Sequence, residues 1–398
     1  MTIVIAGGGL SALRSAEDLR RRGYADRIVV IGAEQEPPYN RPPLSKELLW
    51  GGATAADLAF GVSEGSDDIE WLLGRSVAAA DLTARNVVLD DGEMIGFDGL
   101  VAATGVTSRR LDIPGPTRGR IGLRTLAEAE SVRAALVPGA RIVCLGAGFI
   151  GCEVARTARA LGCEVDVVAL DPVPLAIPLG PVAGAELRRR HEAAGIRFHL
   201  GRTVAETVGD ECIEGVVLSD GTRLPADLLL ETVGSVPNTS WLHGNGADLQ
   251  NGVLTDEWLR VDGRPGIVAV GDVARFANPL FDAPALRIEH WQTAIDTAAF
   301  ATATLMHDLG LSTDAPAPVS IMPWFWSDQG DLRLTSYGML GLADETEIVE
   351  GELDGECAIA YRRDGEVVGY LLIGMKQKGA RYKRQLGKER AALRAAAV

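Results

Sequence analysis

The chain has 398 residues and a mass of 42.1 kDa, room for two or three domains of ordinary size, and its 47% hydrophobic and 23% charged residues exclude a disordered chain. No apolar run reaches the roughly 18 residues that a bilayer span needs. The amino terminus leads straight into a strand without a basic n-region or cleavage site, so neither a membrane span nor a signal peptide is expected. Net charge is −15 but unevenly spread: eight Lys or Arg against one Glu make residues 376–398 +7, leaving −22 on the other 375 residues. That excludes nucleic acid as a partner, because the body would repel it and no recognition motif accompanies the basic end.

The first element reads MTIVIAGGGLSALRSAEDLRRRG, an apolar strand, the turn Gly7-x-Gly9-x-x-Ala12, and a helix. In such a turn the first glycine makes the sharp strand-to-helix bend and the second admits a pyrophosphate close to backbone. The third small residue lets helix and strand pack, and the anion rests on the free N–H groups of the helix start. DRIVVIGAE supplies a second strand, and VAATG (101–105) a buried strand ending in a tight turn. A second block opens near Arg109. Its RIVCLGAGFIGCEVA carries Gly146-x-Gly148-x-x-Gly151, a helix over about 148–161 and the strand CEVDVVAL. One such turn is a weak signal. Two, about 140 residues apart and each in strand–turn–helix context, imply two dinucleotides.

ADLLLETVGSVPN (226–238) closes the second block, and GIVAVGDVARF (266–276) reads as another apolar strand with Gly271 and Asp272 at its carboxyl end, where ligands sit in open α/β sheets. LSTDAPAPV (311–319) reads as a linker. The last block, from about Ser320, alternates polar and apolar residues and predicts antiparallel hairpins with Asp364-Gly365 as a turn. The basic end reads either as a solvated helix or as part of a docking face for an acidic partner. Five cysteines, none in CxxC spacing, point to a reduced, cytoplasmic protein.

The segments VIAGGGLSA, PYNRPPLSKELL, VAATG, LGAGFIGCE, TVGSVPN, VAVGDVARF, RIEHWQTAIDTA and PWFWSDQ follow one another across nearly the whole chain. This series resembles the FAD-dependent NAD(P)H:ferredoxin reductases, the family of putidaredoxin and rubredoxin reductases and of the reductases of biphenyl-type oxygenases. Apoptosis-inducing factor is a more distant cousin. The resemblance implies an α/β fold with two Rossmann-like dinucleotide-binding domains of the glutathione-reductase-like FAD/NAD(P) kind and a C-terminal α+β domain. The implied divisions are 1–107 with 232–312 for FAD, 108–231 for NAD(P)H, and 313–398.

Carried over residue by residue, the resemblance implies FAD at Gly7, Gly9, Ala12, Glu34, Arg41, Lys46, Thr104, Gly105, Arg124, Gly271, Asp272, Glu289, His290 and Trp291. Glu34 would accept from the adenosine ribose, Asp272 would bond the ribityl chain, and the helix opening near His290 and Trp291 would aim its positive end at the flavin pyrimidine. NAD falls to Gly146, Gly148, Ile150, Gly151, Glu153, Asp171, Val233 and Gly234. Lys46 would stand beside the flavin paired with Glu153; the alternative is an ordinary surface ion pair, worth little. Trp326, in Trp324-Phe325-Trp326, would serve electron exit or nicotinamide gating, unless these aromatics are simply core.

Two positions depart from the pattern. Ala169 stands where the family has an acid at the end of the second strand of the NAD unit, with Asp171 two residues on, so the expectation is NADH with NADPH possible. Gly330 stands where relatives often carry an aromatic. The first helix, SALRSAEDLRRR, has no cysteine, which argues against thiol–disulfide transfer, and no ligand cluster suggests an iron–sulfur centre.

The expected activity is therefore an NADH-dependent reductase that hands electrons singly from FAD to a small [2Fe–2S] ferredoxin of a cytochrome P450 or ring-hydroxylating oxygenase. Lys46, Glu153 and Trp326 are its candidate catalytic residues, and a monomer or weak homodimer its expected state. An NAD(P)H oxidase or quinone reductase and a redox-switched interaction protein are the alternatives.

Overall fold

The computed structural model of the chain describes residues 1–61, 63 and 65–396, the side chains of 394–396 excepted. Positions 62 and 64, in the first expected domain, and 397 and 398, at the end of the basic segment, lie outside the described residues. The chain forms two compact units. The first comprises Met1–Asn40, Ala59–Thr107 and Val236–Phe325, the second Arg41–Leu58, Ser108–Ser235 and Trp326–Val398.

In the first unit five parallel strands stand in the order Ile267–Ala269, Gly99–Ala102, Thr2–Ala6, Arg27–Gly32, Glu70–Leu73. The run TIVIA is buried from Ile3 onward, as expected of strands covered on both faces, which carry continuous Val and Ile rather than alternation. The helices Leu10–Arg21 and Trp291–Asp308 are tied by the buried Asp18, which accepts from the Thr302 hydroxyl. An antiparallel meander of Val77–Asp81, Asn86–Leu89 and Met94–Gly96, not legible in the sequence, precedes the strand Gly99–Ala102.

The stretch 266–276, expected as one strand, is two. Ile267–Ala269 ends in the turn Gly271–Val273, and Ala274–Asn278 joins a different sheet. Gly271 causes the break: its φ is +67°, and a Cβ there would lie 2.4 Å from Ser11 Oγ. Only glycine fits that bend.

The second unit repeats the parallel design in the order Arg197–Leu200, Glu164–Ala169, Arg141–Leu145, Leu228–Glu231, Arg120–Ile121. It also carries a five-stranded sheet in the order Trp324–Gln329, Leu332–Gly338, Glu366–Ile373, Cys357–Arg363, Glu345–Gly351, whose last four strands pair antiparallel. Asp364 and Gly365 take φ of 54° and 82°, the doubly positive geometry of a two-residue hairpin turn.

The terminal helix Gly379–Ala396 is not simply solvated. Tyr382 and Leu386 are buried, and Lys378 and Arg381 both pair with Glu350, while Lys383, Arg384 and Lys388 face outward. Among the described residues no helix is long and apolar enough to cross a membrane.

Candidate cofactor sites

Each unit carries one glycine turn at the carboxyl end of a central parallel strand, Thr2–Ala6 in the first and Arg141–Leu145 in the second. In the first unit Gly7 has φ +128°, and a Cβ there would lie 2.1 Å from the Ala103 carbonyl oxygen. Gly9, which caps the helix Leu10–Arg21 without a side-chain bond, has open space at its Cβ position. The second unit matches this position for position. Gly146 has φ +112° and would meet the Thr232 carbonyl at 2.3 Å, and Gly151 would meet Gly146 O at 2.2 Å. Gly148 is open and leads an uncapped helix, Phe149–Ala160. Ala12 is fully buried where Gly151 stands in the second turn. The contrast is the helix Leu126–Ala135, whose start is closed by a reciprocal Thr125–Glu128 capping box. There the orphan N–H groups are satisfied by side chains, whereas at the two glycine turns no side chain takes them and they are open to an anion.

Further residues of the first unit converge on the same strand ends. The Tyr39 hydroxyl donates to Glu34 at 2.6 Å. Thr104 Oγ1 donates to the Asn238 carbonyl at 2.6 Å and Asn238 Nδ2 returns a bond to the Thr104 carbonyl at 2.9 Å, beside Gly105 at φ +62°. The Gly271 N–H donates to Thr297 Oγ1 at 2.9 Å, and Arg287 reaches both the Asp272 carbonyl and the Glu289 carboxylate.

His290 caps the helix Trp291–Asp308, again with no side-chain bond, and Trp291 Nε1 donates to Asn40. Two polar atoms here, His290 Nδ1 and Thr293 Oγ1, are buried without a partner. Burial, opposed only by nearby Asp272, pushes the His290 pKa down to about 4, so the ring is neutral at pH 7. An uncapped helix start with unpartnered buried polar atoms beside it fits the polar edge of a flavin ring.

Arg41, Lys46 and Arg124, assigned by the resemblance to the flavin, fold in the second unit, where Arg41 Nη1 donates to the Arg124 carbonyl at 2.6 Å. Lys46 Nζ reaches Glu153 Oε2 at 2.7 Å, with further bonds to the Pro42 carbonyl and Ser45 Oγ. Both charged side chains are 7% exposed, so the surface-pair reading does not hold. Ser45 donates to the same carboxylate oxygen, and Ser327 donates to Oε1 at 2.7 Å. Neither serine was singled out from sequence. The signal was present for Ser327, which follows Trp326 on a strand and so points to the opposite face. Trp326 itself is half-buried under the Arg333 guanidinium, 5.7 Å from its ring centroid.

At the end of the strand Glu164–Ala169, Ala169 is followed by the exposed Leu170 and by Asp171, which makes no ion pair among the described residues. No arginine stands between Ala169 and Arg188 in sequence. The fold brings one: the Arg202 N–H donates to the Ala169 carbonyl at 3.1 Å, and its guanidinium is held by Asp220 at 2.6 Å. Ile150 is exposed in the first turn of its helix, and Val233 and Gly234 follow the strand Leu228–Glu231, with Gly234 exposed at φ +99°.

Residues 1–298 match the family model described as pyridine nucleotide-disulphide oxidoreductase, and 324–398 match that described as reductase C-terminal. The chain belongs to the pyridine nucleotide-disulphide oxidoreductase family. Among its relatives in that family, the ferredoxin–NAD(+) reductase component of the anthranilate 1,2-dioxygenase system of Burkholderia cepacia is 38% identical over 88% of this chain and 84% of its own. Among solved structures, the covalent putidaredoxin reductase–putidaredoxin complex matches with TM-score 0.90 at 30% identity, covering 98% of this chain and 93% of the other. The ferredoxin reductase for the CYP199A2 system of Rhodopseudomonas palustris matches with TM-score 0.87 at 36% identity, covering 94% and 91%.

The five cysteines of the chain are all unpaired and all but Cys212 are buried. Burial pushes the Cys144 thiol up to about 12 and that of Cys152 higher still, away from the nucleophilic thiolate.

Proposed function

We propose that the chain is an NADH-dependent, FAD-containing reductase that passes electrons singly to a small [2Fe–2S] ferredoxin, which serves a cytochrome P450 or a ring-hydroxylating oxygenase. The observation that carries this reading is the paired glycine turn, each with an open second glycine and an uncapped helix start, in a chain whose five cysteines are all single. Two nucleotides are bound and no cysteine pair takes the electrons onward. The relatives named as ferredoxin reductases support the same partner. Residues 1–107 with 232–312 form the flavin domain in this reading, 108–231 the nicotinamide domain and 313–398 the C-terminal domain, and the enzyme acts as a monomer or weak homodimer.

Bound flavin supplies the chemistry that accepts the two electrons of a hydride and releases them one at a time. The chain's own residues bind and orient. Gly9 and Gly148 admit the pyrophosphates, Glu34 receives the ribose of FAD, and His290 and Thr293 face the polar ring edge. Lys46, paired with Glu153, serves the nicotinamide side, and Trp326 and the outward Lys383, Arg384 and Lys388 serve electron exit. NADH is favoured because Asp171 makes no ion pair among the described residues and Arg202 is already engaged by Asp220.

The decisive experiment is cytochrome c reduction by the purified yellow protein with NADH and then NADPH, with and without [2Fe–2S] ferredoxins. A large ferredoxin-dependent increase is expected. Fast NADH consumption indifferent to every ferredoxin tried would replace this reading with an oxidase or quinone reductase.

A further inference from the structure

The carboxylate partnered by Lys46 sits at the end of a buried series of side chains. Ser327 Oγ lies 2.7 Å from Glu153 Oε1, Gln329 Nε2 lies 3.1 Å from Ser327 Oγ, and His191 Nε2 lies 2.7 Å from Gln329 Oε1. Ser327, Gln329 and His191 are at most 1% exposed. The members come from three elements: Glu153 from the helix Phe149–Ala160, Ser327 and Gln329 from one face of the strand Trp324–Gln329, and His191 from the last turn of the helix Ala176–Ala193.

The direction of every bond follows from one end. A carboxylate facing an ammonium only accepts, so the Ser327 hydroxyl donates to it. Ser327 oxygen is then left to accept, which turns the nitrogen of the Gln329 amide toward it and the amide oxygen toward His191. His191 therefore carries its proton on Nε2. Its other nitrogen, Nδ1, is buried and unpartnered, as suits a bare acceptor and not a buried N–H. The groups around the ring agree: Phe198 stands edge-on at 6.1 Å, and the nearest charges, Arg156 and Asp331, pair with each other, as Arg190 does with Glu186 on His191's own helix. Because an amide does not relay protons as a hydroxyl does, this is an orienting chain and not a proton wire.

We propose that Ser327, Gln329 and His191 are positioning residues that hold Glu153 through Oε1, leaving Oε2 aimed at Lys46. The proposal rests on the reading of Lys46 and Glu153 given above.

Nitrogen NMR of the 15N-histidine holoprotein is expected to show His191 as the neutral Nε2–H tautomer, without titration from pH 8 to pH 5. In stopped flow with NADH, Ser327→Ala is expected to slow hydride transfer about tenfold, the effect of losing one hydrogen bond to a charged group, and Gln329→Leu, which loses a neutral bond, about threefold. NAD+ affinity should stay within twofold, and Ser327→Thr should restore the rate. Lys46→Met serves as the control. If it slows hydride transfer while Ser327→Ala and Gln329→Leu do not, the positioning role is wrong and the reading of the pair survives. An unchanged rate in Lys46→Met overturns both. An Nδ1–H tautomer, or loss of melting temperature with no change in rate, overturns the chain by itself.

Discussion

Lys46 Nζ and Glu153 Oε2 meet at 2.7 Å across 107 positions of sequence, with both side chains 7% exposed. A buried pair behaves unlike a surface one, because removing one partner strands a charge away from water. Lys46→Met is therefore expected to cost about 3 kcal/mol of stability, at the low end of the range since Ser45 and Ser327 still donate to the carboxylate. Lys46→Met combined with Glu153→Leu should recover most of that loss in urea titrations. Hydride transfer should stay slow in both variants, and a normal rate in either would remove the pair from the chemistry.

The glycines of the two turns separate folding from binding. Gly146→Ala must place a Cβ 2.3 Å from a carbonyl at φ +112°, so it should cost about 2–3 kcal/mol in thermal melts. Gly148→Ala meets open space and should cost no more than about 1 kcal/mol. Its effect belongs to the ligand: NAD+ affinity by titration calorimetry should fall at least tenfold, in proportion to the lost close approach of backbone and pyrophosphate.

Coenzyme choice turns on Arg202. Its Nε is 2.6 Å from Asp220 while its N–H holds the end of the strand at Ala169. Asp220→Asn frees the guanidinium, and 2′,5′-ADP should then bind about fivefold more tightly, the size expected of one half-exposed ion pair, with NAD+ unaffected. Equal affinities in wild type and variant would show that Arg202 does not reach the 2′-phosphate.

His191 imposes a pH dependence on stability. Its pKa falls from an ordinary 6.5 to about 4 through burial, opposed by the Gln329 bond. Between those values the unfolded chain holds more protons than the folded one. Stability present above pH 6.5 is therefore lost as pH drops toward 4, by up to about 3 kcal/mol. His290, shifted to about 4 by its own burial, adds a loss of the same sign. The His191→Gln variant should lose less melting temperature than wild type between pH 6.5 and pH 5.

What was legible in the chain was what local sterics decide. The turns at Gly7 and Gly146 need positive φ, the helix starts after Gly9 and Gly148 need an open approach, and the Asp364-Gly365 hairpin needs two left-handed residues, so each leaves its mark within a few positions. Continuous apolar runs such as TIVIA and RIVCL likewise announce strands covered on both faces. Even there local reading failed once, at Gly271, whose φ of +67° breaks the run after Ala269 and which lies close against Ser11 of the first helix.

The immediate surroundings of Glu153 and Ala169 belong to tertiary structure alone. Ser327, Gln329 and His191 reach Glu153 from two other elements, and Arg202 reaches Ala169 because the strand Arg197–Leu200 lies beside Glu164–Ala169. No periodicity records such meetings. Backbone conformation is set by neighbours in sequence, whereas the pairing of buried charges and the bonds that orient them depend on strand order and on which helix covers which face.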